Sequence, residues 1–434
     1  MTAADITNGQ LMARVLRAAG VDAVYGAPLA GVRVVPVPLA PVAALMAEAH
    51  RRVHGCPAGV LRADGTLVVG AGAVVDRASA VVSDVADLLD GVGALHAAAH
   101  DRGPGLAWRV ALDPDAPAPD VAPPRPAPVD RWAPPGDDLV ATLAAAERPV
   151  VLAGPGVVRE GAVPGLHAAA TAANLGVLNT WGAKGVFDWR SRHHLATAGL
   201  QARDFELGGL ADADLIVATG VDPAEAPGDR WRLAPVVEVL PGALDPLAGR
   251  WARRLADIAV PALRSGLARV TQDGWASTST PLAPSRVTRH YAQVVGAGGL
   301  LAADPGVAGY WVARTFATTE LGGVHVPASP SSRGFSVACA AVARLRSPDR
   351  PVLAVVDSPD GPVFDALDTA WRLGVDVPVE VWAPDGEHLD ADRHLARLRR
   401  IVDGGGRSVV GLATDAAQLD RMIEVAGEVV AWTA

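Results

Sequence analysis

The stretch RPVVLAGPG (residues 148–156), with AVPGLHAAATAANLG (162–176) and ADLIVATG (213–220) after it, decides the fold. Residues 149–153 are an unbroken apolar run, which in a strand means burial on both faces. Gly154-Pro155-Gly156 ends the run, because proline has no amide hydrogen for a ladder. An alanine-rich stretch of helical length follows, and then a second apolar run. This strand–helix–strand rhythm predicts a parallel sheet covered by helices on both faces.

The same rhythm recurs on both sides. GGLLAADPG (298–306), RPVLAVVD (350–357), VDVPVEVWAP (375–384) and GRSVVGLAT (406–414) read as further buried strands between Gly, Pro and Asp breaks. GQLMARVLRAAG (9–20) carries apolar residues at helical spacing and leads into the strand DAVYGAP (22–28). A second helix covers APVAALMAEAHRRVHG (40–55). Two proline-rich stretches, APAPDVAPPRPAPVDRWAPPG (116–136) and TSTPLAPSR (278–286), cannot be element interiors and read as linkers. They divide the chain into segments 1–125, 130–270 and 283–434, each near the usual domain size. The predicted class is α/β, three doubly wound parallel-sheet domains.

Composition narrows the function. With half of the 434 residues apolar and 20% charged, the chain can bury a core in each segment. A net charge of -9 argues against a nucleic-acid partner, which needs a surplus of Lys and Arg on one face. No eighteen-residue apolar run predicts a membrane span, and the N-terminal stretch lacks the basic start and apolar centre of a signal peptide. Cys56 and Cys339 stand far apart without ligand-spaced partners, so a reducing compartment, the cytoplasm, is expected.

Several stretches, in collinear order, resemble the acetolactate synthase and pyruvate oxidase family of thiamine-diphosphate enzymes. GQLMARVLRAAGVDAVYGAP (9–28) is similar to the start of that family's pyrimidine-binding domain. The stretch from Leu143 to Asp188, including the strand–glycine turn and a later Lys-Gly segment, resembles its central domain. ADPGVAGYWVARTF (303–316), SRGFSVACAAVARLRSPDRPVLAVVD (332–357) and LDTAWRLGVDVPVEVWAPDG (367–386) follow the order of its diphosphate-binding domain. The resemblance implies thiamine diphosphate with Mg²⁺, a homodimer or homotetramer, and a small-molecule ligand between subunits. Some relatives also bind FAD with the central domain, which makes FAD a further possibility.

The departures are as informative. Ala40 stands where the family has the glutamate that protonates the cofactor's ring, and alanine relays no proton. Glu48 is the nearest carboxylate, about two helical turns further on. The family's metal and diphosphate motif falls on VVDSPDG (355–361) and APDGEH (383–388). By resemblance Asp357 and Asp385 are the metal ligands, and Asp357, Ser358, Arg333 and Gly334 line the cofactor site. Val356 and Ser358 replace glycines that let backbone approach a phosphate, and a second carboxylate adds negative charge beside a diphosphate. The first segment is also shorter than the family's, without the glycine-rich turn expected after residue 70. Two functions follow: an eroded thiamine site in a non-thiamine enzyme, scaffold or pathway subunit, or an active thiamine-diphosphate- and Mg²⁺-dependent decarboxylase or carboligase acting on a 2-oxo acid.

Other residues carry bland readings beside sharp ones. Asp357 is a metal ligand or a turn cap after a buried strand. Asp385 and His388 fit a polar helix start as well as coordination. His50/His54 and His96/His100 have i, i+4 spacing but no third ligand, and read as solvated or core-edge histidines; His193-His194 read as loop. GFSVA around Ser336 lacks the second glycine of a nucleophile elbow. Cys56 reads as an inert thiol. Gly154-Pro155-Gly156 and the glycines at 404–406 read as structural turns before phosphate cradles. The eleven tryptophans suit either oligomer anchors or domain cores.

Overall fold

The computed structural model describes residues 6–70, 80–100, 105–126, 135–251, 257–404 and 406–432. The chain forms two compact units. One comprises Met1–Val129, Ala341–Arg346 and Phe364–Val375; the other comprises Asp130–Ala340, Ser347–Val363 and Asp376–Ala434.

The first unit opens with a two-residue strand, β1 (Ile6–Thr7), and the helix Asn8–Ala18. Thr7 and Gln10 form a reciprocal capping box at its start: Gln10 donates its backbone N–H to the Thr7 hydroxyl and accepts from the Thr7 N–H. Leu11, Met12, Val15 and Leu16 recur at helical spacing and are buried in one apolar cluster. The sheet contains β2 (Ala23–Gly26), β3 (Val34–Pro36), β4 (Ala58–Leu61), β5 (Thr66–Val69), β6 (Ala80–Val82) and β7 (Leu106–Val110), in the order β3-β2-β4-β5-β7-β6. A short β8 (Pro117–Ala118) pairs with β1.

Strands β2, β3 and β4 are parallel, but β5 is antiparallel to both of its neighbours. The reason is local. Only residues 62–65 separate β4 from β5, and a parallel return needs a crossover of a dozen or more residues. Gly65, at φ +80°, makes the tight turn. The first sheet is therefore mixed, while the other two are wholly parallel.

In the second unit the first sheet holds β9 (Pro149–Ala153), β10 (Gly176–Thr180), β11 (His194–Ala198), β12 (Leu215–Thr219) and β13 (Val236–Glu238), ordered β11-β10-β9-β12-β13. The other sheet holds β14 (Leu300–Ala303), β15 (Val324–His325), β16 (Val352–Val356), β17 (Pro378–Glu387) and β18 (Ser408–Leu412), ordered β15-β14-β16-β17-β18. Every pairing in both sheets is parallel. The fold is thus mixed α/β with parallel-sheet domains, and each residue of β10, β12, β14 and β16 is buried, which accounts for the unbroken apolar runs.

Trp181 and Leu200 from the β10–β11 region share an apolar cluster with Leu301, Tyr310 and Trp311 from the β14 region. An ion pair crosses that cluster: Arg314 binds Asp204 at 2.7 Å, with side chains 1% and 0% exposed. The Tyr310 hydroxyl donates to Gln201 at 2.9 Å. Trp108, Trp181, Trp231, Trp251, Trp311 and Trp382 are all buried, so these six belong to domain cores. Residues 71–79, where the missing glycine-rich turn was sought, lie outside the described residues, as do 127–134 of the proline-rich linker and Gly405.

Candidate functional site

In an open parallel sheet, a crevice forms at the carboxyl ends of two adjacent strands whose outgoing connections run to opposite sides. In the order β15-β14-β16-β17-β18 that point lies between β14 and β16. Each of these strands is followed at once by an aspartate: Asp304 after Ala303, and Asp357 after Val356. The crevice is therefore flanked by two carboxylates.

Both carboxylates are engaged with helix N-termini. Asp357 accepts from the backbone N–H groups of Val307 and Ala308, at 2.6 and 2.7 Å, at the start of the helix Val307–Thr315. Asp304 accepts from Gly334 and Ser336, at 2.6 and 2.7 Å, at the start of the helix Phe335–Arg346. Each aspartate thus fills the amide groups that a helix leaves unpaired at its N-terminus, and its charge complements the helix dipole. Gly306 makes one approach possible: it sits at φ +133°, and a Cβ there would lie 2.1 Å from Asp357 Oδ2.

Burial raises the Asp304 carboxyl to about 6, opposed by the Ser336 and Gly334 amides and reinforced by the Asp357 charge. Asp357 is raised as well, chiefly by burial, with the two amides and Arg333 pulling it down. Arg333 is thus an electrostatic neighbour of Asp357, and its guanidinium binds Asp360 at 2.5 Å. Ser358 follows Asp357 in the loop that leads to Asp360.

Of the residues singled out in the sequence, the structure gathers Asp357, Arg333 and Gly334 at this crevice and leaves Asp385 apart. Asp385 is exposed, on the outer end of β17, where Glu387 pairs with Leu412 of β18. A Cβ on the adjacent Gly386 would strike Leu412 and Ala413. That segment leans on β18, the strand on the far side of β17 from β16. Among the described residues, no group of three His, Cys, Asp or Glu side chains could hold a metal ion. Asp304 was overlooked in the sequence, although LAADPG and AVVDSPDG share the same signature of a buried run closed by an aspartate.

The central sheet has an equivalent switch point between β9 and β12. There the glycines serve backbone contact. Gly156 donates its N–H to the Gly220 carbonyl at 2.8 Å, and Gly154 donates to Thr219 at 2.9 Å. A Cβ on Gly154 would lie 2.3 Å from the Gly220 oxygen. With Pro155 lacking an amide hydrogen, this turn has its donors committed and offers no cradle to a nucleotide phosphate.

The remaining candidates have structural roles. His50 is buried between the Tyr25 hydroxyl and Asp22, both at 2.9 Å, and burial lowers its pKa. His54 meets the His50 ring edge to face, and His96 and His100 bond backbone carbonyls at 3.1 and 2.9 Å. His193 bonds the Leu175 carbonyl, and His194 opens β11. Ser336 lies inside a helix, fully buried. Cys56 donates weakly to the His54 carbonyl. His388 is exposed beyond β17. Ala40 is exposed at the start of its helix, and Glu48 forms an i, i+4 pair with Arg52 at 2.9 Å.

Residues 137–237 match the family model of the thiamine pyrophosphate enzyme central domain. The matched span runs from the helix Asp137–Ala145 into β13, so it covers most of the central sheet and supports a thiamine-diphosphate enzyme family. No curated protein matches the chain. No described helix is long and apolar enough to cross a membrane.

The crevice at β14 and β16 can be tested against a diphosphate with its metal. It does not fit them. A diphosphate needs the helix amides, and the Val307, Ala308, Gly334 and Ser336 N–H groups already donate to carboxylates. A metal needs several oxygen ligands gathered at one point, and among the described residues no His, Cys, Asp or Glu group of three stands with Asp357.

Proposed function

We propose that this protein is a divergent relative of the acetolactate-synthase-like thiamine-diphosphate enzymes whose diphosphate half has become structural, and that it works without thiamine, as a non-thiamine enzyme or a pathway subunit. The observation that carries the reading is the capture of four helix-terminal amides by Asp304 and Asp357. Two carboxylates in this crevice also repel a diphosphate, which brings further negative charge to the same place. The absence of a carboxylate at Ala40 supports the same reading from the other end of the chain. The likeness to the family also suggests a homodimer or homotetramer, which sedimentation of the purified protein would measure.

Calorimetric titration of thiamine diphosphate with Mg²⁺ into the folded protein tests the proposal. No saturable heat is expected. Saturable binding that Asp357→Ala abolishes would overturn it and restore the 2-oxo acid decarboxylase or carboligase.

A further inference from the structure

The helices Pro284–Val295 and Ala391–Asp403 pack against each other beside the sheet of β14 to β18, and a chain of buried polar groups joins them. His290 is 3% exposed, and His394 and Glu380 are fully buried. Arg286 Nε donates to His290 Nε2 at 3.1 Å, one turn away on the same helix. The two rings meet at 2.8 Å, His290 Nδ1 against His394 Nδ1. On its other side His394 Nε2 lies 3.1 and 3.2 Å from the two carboxylate oxygens of Glu380 on β17. Glu380 also accepts from Arg397 at 2.8 Å and from the Tyr291 hydroxyl, which itself accepts from Trp382 Nε1 at 2.7 Å.

These contacts fix the ring protons. Arginine keeps its proton, so Arg286 makes His290 Nε2 an acceptor and puts the His290 proton on Nδ1. That N–H donates to His394 Nδ1, which puts the His394 proton on Nε2, aimed at the Glu380 carboxylate. Both rings are neutral in this pattern, and each ring nitrogen is in use. A further proton on the rings has two places to go. At His290 Nε2 it meets the Arg286 N–H, and at His394 Nδ1 it meets the His290 N–H. Either way donor faces donor, and a buried charge is added beside Arg286 and Arg397. Burial, then the His394 and Arg286 charges, lower His290 to about 3.

We propose that this chain of bonds is an acid-sensitive latch: a proton taken up by the histidine pair breaks the His290–His394 bond and loosens the helix Pro284–Val295 from the helix Ala391–Asp403. The surroundings give that proton no second counter-ion. On β17, Glu387 is held by Arg397 at 3.0 Å. On the two helices themselves, Arg289 lies over the Trp275 ring at 5.1 Å, and Arg393 faces Asp390 at 3.5 Å. The helix Ala262–Ala276 offers Arg286 the Trp275 carbonyl, and its Asp273 pairs with Arg421. The helix Val307–Thr315 meets Pro284–Val295 through the Thr315 and Thr288 hydroxyls at 2.8 Å, and its Arg314 is bound to Asp204. Strands β14, β16 and β18 bring no titratable side chain. Glu380 is thus the carboxylate facing the pair, and Arg397 and Tyr291 already occupy it. Once the helices part, His290 returns from about 3 to its ordinary 6.5. The open state binds more protons between these values, so the latch holds fully above pH 6.5 and weakens as the pH falls towards 3.

Hydrogen exchange of the full chain as the pH is lowered from 6.5, corrected for the pH dependence of exchange itself, tests the latch. With one proton taken up per opening, the opening constant of peptides from Pro284–Val295 and Ala391–Asp403 should rise roughly tenfold per pH unit. The helix Val163–Ala173 of the central sheet should keep its protection. His290→Asn puts an amide in place of the ring, able to donate to His394 Nδ1 or to turn over and accept from it, so the rise should vanish. Nitrogen NMR of the histidine rings at neutral pH needs no such variant: His290 should carry its proton on Nδ1 and His394 on Nε2. A flat opening constant, a rise shared equally by Val163–Ala173, a rise that survives in His290→Asn, or a His290 proton on Nε2 would each overturn the proposal.

Discussion

Alanine at position 304 and alanine at position 357 make the sharpest comparison. Each substitution deletes one carboxylate and two short bonds to a helix N-terminus. The environments differ. Val307 is 54% exposed, so water can reach its amide once Asp357 is gone, while Ala308 is buried and its amide is left unpaired, a cost of about 2 kcal/mol. Ser336 is fully buried and Gly334 is buried, so Asp304→Ala leaves two amides without water or partner, at about 3–4 kcal/mol. Urea titration followed by tryptophan fluorescence should therefore place Asp304→Ala below Asp357→Ala by at least about 1 kcal/mol. Asp357→Ala should also expose an anion site. Inorganic diphosphate would raise that variant's midpoint by mass action and leave the parent protein unmoved. Equal costs at the two positions, or a parent protein stabilised by diphosphate as much as the variant, would refute the assignment of these carboxylates as occupants of the helix termini.

Gly306→Ala should destabilise by about 2–3 kcal/mol, because the added methyl meets Asp357 Oδ2 at a backbone angle that side chains avoid; in an Asp357→Ala background the penalty should shrink to the backbone strain, and an unchanged penalty in a double-mutant cycle would argue against the contact. Asp204→Asn strands Arg314 as a buried unpaired cation and should cost about 3–5 kcal/mol in thermal or urea unfolding, whereas a loss under 1 kcal/mol would place the pair in water. Lys184 is about 7 when folded and has an ordinary value of 10.5, so between these values the unfolded chain binds more protons and stability rises with pH. That contribution is complete only above 10.5 and is lost as the pH falls through 7; Lys184→Met should flatten the rise, and a rise that survives in the variant would assign it to another group.

The parallel sheets were legible because their strands are buried on both faces, and RPVVLAGPG and RPVLAVVD therefore run apolar without alternation. The reversal at β5 was not read, since TLVV is equally apolar; only the short RADG turn before it reveals the antiparallel return. Asp357 stood out because the family resemblance pointed to it. Asp304 did not, because its function depends on amides some thirty residues further along the chain, and no local pattern connects LAADPG to SSRGF. Lys184 was visible only as part of a family-like segment. Its burial near Arg314 is a tertiary property that no local pattern announces.

Both switch points of the second unit spend their polar groups on the protein itself. At β9 and β12, glycine backbone meets glycine backbone, and a ligand would have to break the Gly156–Gly220 bond to enter. At β14 and β16, each aspartate belongs to one strand and caps the helix that follows another element: Asp304 holds the helix after β15, and Asp357 reaches back to the helix after β14. The two interactions tie the carboxyl ends of both strands to the helices, and a diphosphate in their place would tie only itself. The exchange converts affinity for a ligand into cohesion of the sheet.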